Sequence, residues 1–136
     1  MSKHRIPPKP PYYETVLPGT CRWCNKTVGL TKKGKISKSK WHTECLKEYK
    51  VINWPSHTRR AVWYRDKGKC NYCSVICSKT GVNKWHMDHI KPLISDPGNI
   101  ELFKLTNCQT LCVKCHILKT SQEATDRATD RNRKLT

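Results

Sequence analysis

Residues 106–120, which read TNCQTLCVKCHILKT, are the stretch on which the fold prediction depends. They contain a C-x2-C pair, Cys112 and Cys115, where a short strand pattern gives way to a helix pattern. A second pair, Cys70 and Cys73, lies on the far side of an intervening loop of 38 residues. Two such pairs closing a loop predict a structural zinc site with four thiolate ligands.

Two further cysteines of the same region, Cys77 and Cys108, are left over by this assignment. A shift of register could put Cys77 in the place of Cys73, so Cys73 is a less secure ligand than Cys70. A disulfide scaffold is the alternative explanation for nine cysteines. Residues 1–20 contain no apolar secretory segment, and histidines accompany the cysteine pairs at ligand spacing, so we expect zinc in an intracellular protein.

The zinc pairs are predicted to join two strands to the start of a helix. Residues 84–90, KWHMDHI, predict one short strand, and residues 106–111 predict the other. A helix is predicted over residues 113–129. His116 directly follows a zinc ligand on the first turn of this helix, so we expect it to lie close to Asp88 at the end of the first strand.

An additional metal-binding module is predicted upstream, over residues 21–54. Its helix is expected to begin near Thr43, after a basic turn at residues 32–35. The set of four ligands has no open coordination position, which predicts a second structural zinc site, although one of the four could be a bystander. The candidate ligands are Cys21, Cys24, His42 and Cys45.

A helix is predicted over residues 56–68, with Ser56 as its N-terminal cap and Gly68 as its C-terminal left-handed cap. Several cations decorate this helix and its end. A charged helix face is usually only solvated, but here we expect contact with phosphates. The candidate DNA-binding residues are Arg59, Arg60, Lys67 and Lys69, together with Lys119 on the last helix.

The composition favours a polyanionic partner. The chain of 136 residues carries a formal net charge of +17, its apolar content is 36%, and its mean hydropathy is −0.76. A chain this basic concentrates on nucleic acid, and the low apolar content indicates that metal sites must help to hold the fold. An anionic membrane surface is the other candidate partner, but no lipidation motif or apolar span supports it.

The combined motifs resemble the HNH endonuclease family. The resemblance covers about residues 56–121 and rests on the C-x2-C pairs, Asp-His-Ile-x-Pro-Leu after residue 87, Asn-Cys-Gln-Thr-Leu-Cys-x2-Cys-His from residue 107, and Lys-Thr at residues 119–120. It implies a small α+β, ββα-metal fold stapled by zinc, and a DNA-cleaving nuclease. The amino-terminal module is similar to the accessory finger of small phage-encoded members.

The resemblance implies a role for each matched residue. His89 would be the general base, and Asp88 and His116 would hold one catalytic divalent ion. Asn107 would brace the loop and orient the base. The structural zinc would be held by Cys70, Cys73, Cys112 and Cys115.

The chemistry of these residue types agrees with that assignment. An imidazole titrates near neutral pH and can take a proton from water, and a divalent ion can neutralise charge on a phosphate. One carboxylate and one imidazole leave coordination positions open, which suits Mg²⁺ or Mn²⁺ and tolerates Ni²⁺ or Co²⁺. The roles of His86 and Thr120 stay open, as do sequence specificity, oligomeric state, and nicking as opposed to double-strand cutting.

The sequence therefore predicts a four-part chain: a flexible Pro-rich basic tail at 1–20, the zinc module at 21–54, the nuclease domain at 55–125, and a polar tail at 126–136. A catalytically silent zinc-finger module for DNA binding or assembly is the alternative, and RNA binding or cleavage is a third reading without an aromatic platform to support it. The family also suggests a phage protein in a bacterial cytoplasm, acting with a larger partner such as a packaging terminase.

Overall fold

The computed structural model describes residues 3–15, 17–81 and 83–135. It divides the chain into two compact units. The first unit comprises Met1–Arg59 and Lys91–Asn107, and the second comprises Arg60–Ile90 and Cys108–Thr136. No helix within the described ranges is both long enough and apolar enough to cross a lipid bilayer.

The first unit is built around helix α1, Thr43–Asn53, and the cysteine pair that precedes it. The predicted start of this helix at Thr43 is confirmed. The unit also contains short 3-10 turns at Lys3–Arg5, Leu93–Ser95, Ile100–Phe103 and Leu105–Asn107. Its core consists of Cys21, Trp23, Ile52 and Phe103, with Leu93 and Ile100 packed against them.

That core explains why the unit boundaries differ from the predicted domains. The prediction put residues 91–107 inside the nuclease domain, whereas their apolar side chains, including Phe103, pack with Trp23 in the first unit. The Pro-rich segment also has specific contacts there. The Tyr12 hydroxyl donates to the Trp23 carbonyl at 2.9 Å, and the Tyr13 ring stacks on that of Tyr49.

The second unit contains a two-stranded antiparallel sheet and a long helix. Strand β1, Trp85–His89, pairs with strand β2, Cys108–Cys112, in a register that sets His89 opposite Cys108. Every residue of β2 is buried. Helix α3, Val113–Leu135, follows β2 without a loop. The predicted small α+β fold is confirmed.

The bounds of β2 and α3 differ from their predictions. Strand β2 begins at Cys108, because the residues just before it form a 3-10 turn. Helix α3 continues to Leu135, past its expected end and through most of the predicted polar tail. Ala and Arg residues with high helix propensity, and the hydrogen bond at 2.9 Å from Gln122 to Asp126 one turn later, favour this extension.

Helix α2, Pro55–Asp66, precedes the second cysteine pair. The helix begins at Pro55, so the prediction of Ser56 as its cap was wrong. Proline suits the first helical position because its fixed φ is already helical and its missing N–H needs no partner there. The predicted left-handed C-terminal residue is confirmed, since Gly68 has a φ of 70° and its N–H donates to the Trp63 carbonyl.

Candidate active site and metal centres

Four cysteines of the second unit converge on one point. The Sγ atoms of Cys70, Cys73, Cys112 and Cys115 all lie within 4.8 Å of one another. The Sγ atoms of Cys73 and Cys112 are 3.7 Å apart, which matches the edge of about 3.8 Å expected for a tetrahedron with Zn–S bonds of about 2.3 Å. Cys77 lies outside the cluster, so Cys73, and not Cys77, is the residue paired with Cys70. This donor set fits zinc.

Backbone N–H groups stabilise the thiolate form of one cysteine in this cluster. Burial acts to raise the pKa of Cys70, but N–H groups of Cys73 and Cys112 outweigh it and lower the pKa to about 6. Desolvation and the neighbouring cysteines raise the pKa of Cys115 to about 12. Thiolates so close together repel one another, and a dication at their centre would relieve that repulsion.

The first unit holds a similar cluster. Cys21, Cys24, His42 and Cys45 each contribute one ligand atom, and these atoms lie within 4.8 Å of one another. The Nδ1 atom of His42 is 3.4 Å from the Cys24 Sγ atom, and its Nε2 atom is 2.8 Å from the Thr27 carbonyl oxygen. A carbonyl only accepts, so Nε2 carries the proton and Nδ1 is left to bind a metal. This arrangement also fits structural zinc.

The carboxylate of Asp88 is the buried centre of a polar network at the end of β1. Asp88 is 6% exposed, and its Oδ2 atom accepts a hydrogen bond from Gln109 at 2.9 Å. The Oδ1 atom lies 3.7 Å from Nε2 of His116, on the first turn of α3. Thus the strand and the helix bring these two predicted ligands together.

The spacing of those two atoms allows them to share an ion. Metal–ligand bonds of about 2.1 Å span a separation of 3.7 Å with an angle below 180° at the metal. The Asn71 amide donates to Gln109 at 3.1 Å, so the residue that orients Asp88 is itself held. The geometry therefore fits a divalent ion between Asp88 and His116.

His89 lies on the opposite face of β1 from Asp88, because adjacent strand residues alternate. His89 as a whole is half-buried. Its backbone carbonyl accepts a hydrogen bond of 3.0 Å from Lys119 of α3. The position of the predicted general base is thus tied to the same helix that carries His116.

Lys119 was predicted to contact DNA, but the structure gives it other partners. It is 9% exposed, and its ammonium group lies 3.2 Å from Asp88 Oδ2 and also contacts Glu123. Burial by itself would lower the pKa of Lys119, but the hydrogen bond to Glu123 and the charge of Asp88 outweigh it and raise the pKa. The positive charge of Lys119 is thus paired with the carboxylates of Asp88 and Glu123.

His86 is a member of the site that the sequence left without a role. Its Nδ1 atom lies 2.7 Å from Nδ1 of His116, and the two rings meet edge to face. His86 is two residues before Asp88 in β1, so both point toward α3. The two-residue spacing of His86 and Asp88 was the sequence signal that could have placed His86 at the site.

Asn107 is the last residue before β2, and its side chain holds a loop. Its Oδ1 atom accepts from the Lys91 N–H at 2.9 Å, and its amide donates to the Lys91 and Leu102 carbonyls at 3.0 and 2.8 Å. Lys91 is the second residue after His89 in the chain. The Asn107 side chain thus braces the loop that follows β1, and its role in orienting the base stays a prediction.

The other predicted DNA-binding residues are exposed: Arg59, Arg60, Lys67 and Lys69. Thr120 is also exposed. Because the four arginines and lysines are exposed, they are accessible to a phosphate backbone.

Comparisons with known proteins identify the region that holds this network. Residues 70–122 match the family model described as HNH endonuclease. The chain is also similar to the "DNA annealing helicase and endonuclease ZRANB3" of Bos taurus, with 41% identity over 51 residues. The aligned part is 38% of this chain and only 4% of that protein, and no solved structure gives a significant match. Residues 70–122, less than half of the chain, are therefore similar to HNH endonucleases.

Proposed function

We propose that this protein is a metal-dependent endonuclease that hydrolyses phosphodiester bonds of DNA. The observation that carries the proposal is the approach of His116 Nε2 to Asp88 Oδ1 at 3.7 Å, within the region that matches the HNH endonuclease model. The ZRANB3 relative is named as an endonuclease, which agrees with this reading. The net charge of +17 favours a nucleic acid substrate.

The residues that would hold the catalytic ion are Asp88 and His116. Mg²⁺ or Mn²⁺, and also Ni²⁺ or Co²⁺, would neutralise charge on the scissile phosphate and the leaving oxygen when bound there. Gln109 donates to the second oxygen of Asp88 and thereby turns the first toward His116. The two cysteine clusters would hold structural zinc and leave the open site to the catalytic ion.

His89 is the proposed general base. Its neutral imidazole takes a proton from water as the water oxygen forms a new bond to phosphorus. The bond from phosphorus to the 3′ oxygen breaks, and that oxygen takes a proton from solvent, leaving 5′-phosphate and 3′-hydroxyl ends. The hydrogen bond from Lys119 to the His89 carbonyl keeps the strand end in position.

A plasmid-nicking assay on the zinc-loaded protein tests the proposal. We expect supercoiled plasmid to be nicked or cut in Mn²⁺ or Mg²⁺ and to stay intact in EDTA. His89→Ala should slow cutting by about 10²-fold or more, the contribution of a general base, while DNA binding survives. His57→Ala is the matched control, since His57 lies on α2 with its ring against Trp54. An unchanged rate for His89→Ala contradicts the assignment of the base.

A DNA-binding or assembly module without catalysis is the second candidate. The two four-ligand clusters and the exposed cations favour it, because by themselves they imply only folding and binding. Tight DNA binding with no cleavage in any of the four ions would decide for this candidate. A phage origin, a host cytoplasm and a terminase partner stay predictions from the sequence.

A further inference from the structure

A lysine-rich hairpin connects the two ligand pairs of the four-ligand cluster in the first unit. Leu30 and Ile36 form an antiparallel bridge, and the Thr31 N–H donates to the Lys35 carbonyl at 2.7 Å. The Arg22 N–H donates to the Lys40 carbonyl at 2.8 Å, next to the first cysteine ligand. We call residues 29–40 the lysine hairpin.

The lysine hairpin carries a large positive charge without acidic neighbours in the sequence. Its lysines are all exposed: Lys32, Lys33, Lys35, Lys38 and Lys40. No Asp or Glu occurs between Glu14 and Glu44. In the part of the chain that the structure describes, none of these lysines forms an ion pair.

We propose that the lysine hairpin binds the phosphate backbone of duplex DNA, as a contact surface separate from the HNH domain. Hydrogen bonds and the four-ligand cluster hold the hairpin backbone, so the positions from which the lysine side chains extend are fixed. Each phosphate that is neutralised releases counterions, and this favours binding at low salt. The proposal rests on the proposed DNA substrate.

The salt dependence of binding tests this surface. Binding of the zinc-loaded protein to a labelled duplex of about 30 base pairs is measured by anisotropy over a KCl series, without Mg²⁺ or Mn²⁺. The triple variant Lys32→Gln, Lys33→Gln, Lys35→Gln should make the slope of log K against log[KCl] shallower by about 2–3, at about 0.9 per lost phosphate contact. Its zinc content should be unchanged.

A matched triple, Arg127→Gln, Arg131→Gln, Lys134→Gln on exposed positions of α3, removes the same charge elsewhere and should leave the slope unchanged. An unchanged slope for the hairpin variant, an equal change in both triples, or tighter binding of duplex RNA than of DNA overturns the proposal. Nicking of plasmid by the same variants is scored separately. A wild-type protein that binds through the hairpin but never cuts would remove the proposed nuclease function alone.

A second inference concerns His116, whose ring lies between two partners. Its Nε2 atom faces Asp88 Oδ1 at 3.7 Å, and its Nδ1 atom faces Nδ1 of His86 at 2.7 Å. One of the two Nδ1 atoms must donate and the other accept. A histidine that binds a metal through one nitrogen nearly always donates its other N–H to a neighbour, which fixes its tautomer and ring orientation.

We infer that His86 is a positioning residue for the ion site, accepting the Nδ1 proton of His116 and thereby turning Nε2 toward Asp88. This inference rests on the proposed role of His116 as a ligand. It predicts that an acceptor at residue 86 is what matters, so an asparagine, whose Oδ1 lies near the place of the imidazole Nδ1, should replace the histidine.

Mn²⁺ affinity of the zinc-loaded protein, measured from the EPR signal of free Mn²⁺, tests the inference without any turnover. His86→Leu should weaken binding about 10–100-fold, as loss of a partner of a metal ligand does, while His86→Asn stays close to wild type. His57→Leu is the matched control. Equal affinities for His86→Leu and wild type, or equal losses in His86→Leu and His86→Asn, overturn the role of His86.

Asp88→Ala separates this inference from the proposed function. If Asp88→Ala abolishes Mn²⁺ binding but His86→Leu does not alter it, the ion site stands and only the role of His86 fails. If Asp88→Ala leaves Mn²⁺ binding intact, the proposed ion site and the inference about His86 fail together.

Discussion

At the scale of single residues, the end of β1 depends on a balance of charges around Lys119. The ammonium group lies between the carboxylates of Asp88 and Glu123 and also donates to the His89 carbonyl. A lysine with these partners holds a carboxylate and a strand end in place. This geometry favours a structural role over the phosphate contact that the sequence suggested.

Replacing Lys119 by methionine should therefore destabilise the protein more than it weakens DNA binding. Methionine keeps most of the apolar stem but leaves Asp88 and Glu123 without their cation. We expect the free energy of unfolding to fall by about 3 kcal/mol. This is the low end for a broken buried ion pair, because Glu123 is partly exposed. Urea unfolding measures the loss, and exposed Lys114→Met is the control. An unchanged stability with a salt slope shallower by about 0.9 would identify a phosphate contact instead.

At the scale of elements, the turn after α2 sets the entry to the second cysteine pair. Gly68 has a φ of 70°, and a Cβ atom on it would lie 2.8 Å from Cη2 of Trp63. The Trp63 ring in turn packs on that of Trp85, with centroids 5.0 Å apart. The glycine is thus required both by its backbone conformation and by the packing of the tryptophan.

Gly68→Ala should lower the free energy of unfolding by about 1–3 kcal/mol from backbone strain, with a further loss from the clash with Trp63. Gly81→Ala is the control, because Gly81 also has a positive φ of 87° but no atom within 4 Å of the added Cβ. In denaturant titrations, the free energy of unfolding of Gly68→Ala should be lower than that of Gly81→Ala. Equal losses would show that the contact with Trp63 contributes nothing.

At the scale of the whole molecule, zinc bound in the two four-ligand clusters would supply the stability that the small apolar cores lack. Each unit contains one four-ligand cluster, with at least one cysteine that is also a core residue. Ions bound there would add their binding free energy to folding, so we expect that removing them removes much of the stability of each unit. The leftover Cys77 and Cys108 are buried but lie outside the clusters.

Metal analysis of two cysteine variants tests this division of roles. Cys73→Ser should reduce bound zinc from about two to about one per chain and make thermal unfolding less cooperative, because it removes a ligand of the second cluster. Cys77→Ser should keep both zinc ions, since Cys77 is not in a cluster. Full zinc in Cys73→Ser, with a loss in Cys77→Ser, would mean that the two cysteines exchange places.

Local spacing in the sequence determined the two cysteine clusters, both strands, and the start of each helix near the site. These features depend on residues close in the chain or on the fixed chemistry of thiolate pairs, so pattern alone predicts them. The cap of α2 was mispredicted, because the proline before Ser56 already starts the helix. The extent of α3 was underestimated, because a polar pattern does not distinguish an exposed helix from a frayed tail.

Tertiary structure alone decided the partners of His86 and Lys119, and the grouping of residues 91–107 with the first unit. His86 in β1 contacts His116 in α3, and Lys119 in α3 contacts Asp88 in β1. The two residues of each pair are about 30 residues apart in the chain. Both contacts depend on how α3 is rotated over the sheet. The loop is drawn to the first unit by burial of Phe103 against Trp23. Such contacts follow from the packing of whole surfaces, which the sequence of any one segment does not encode.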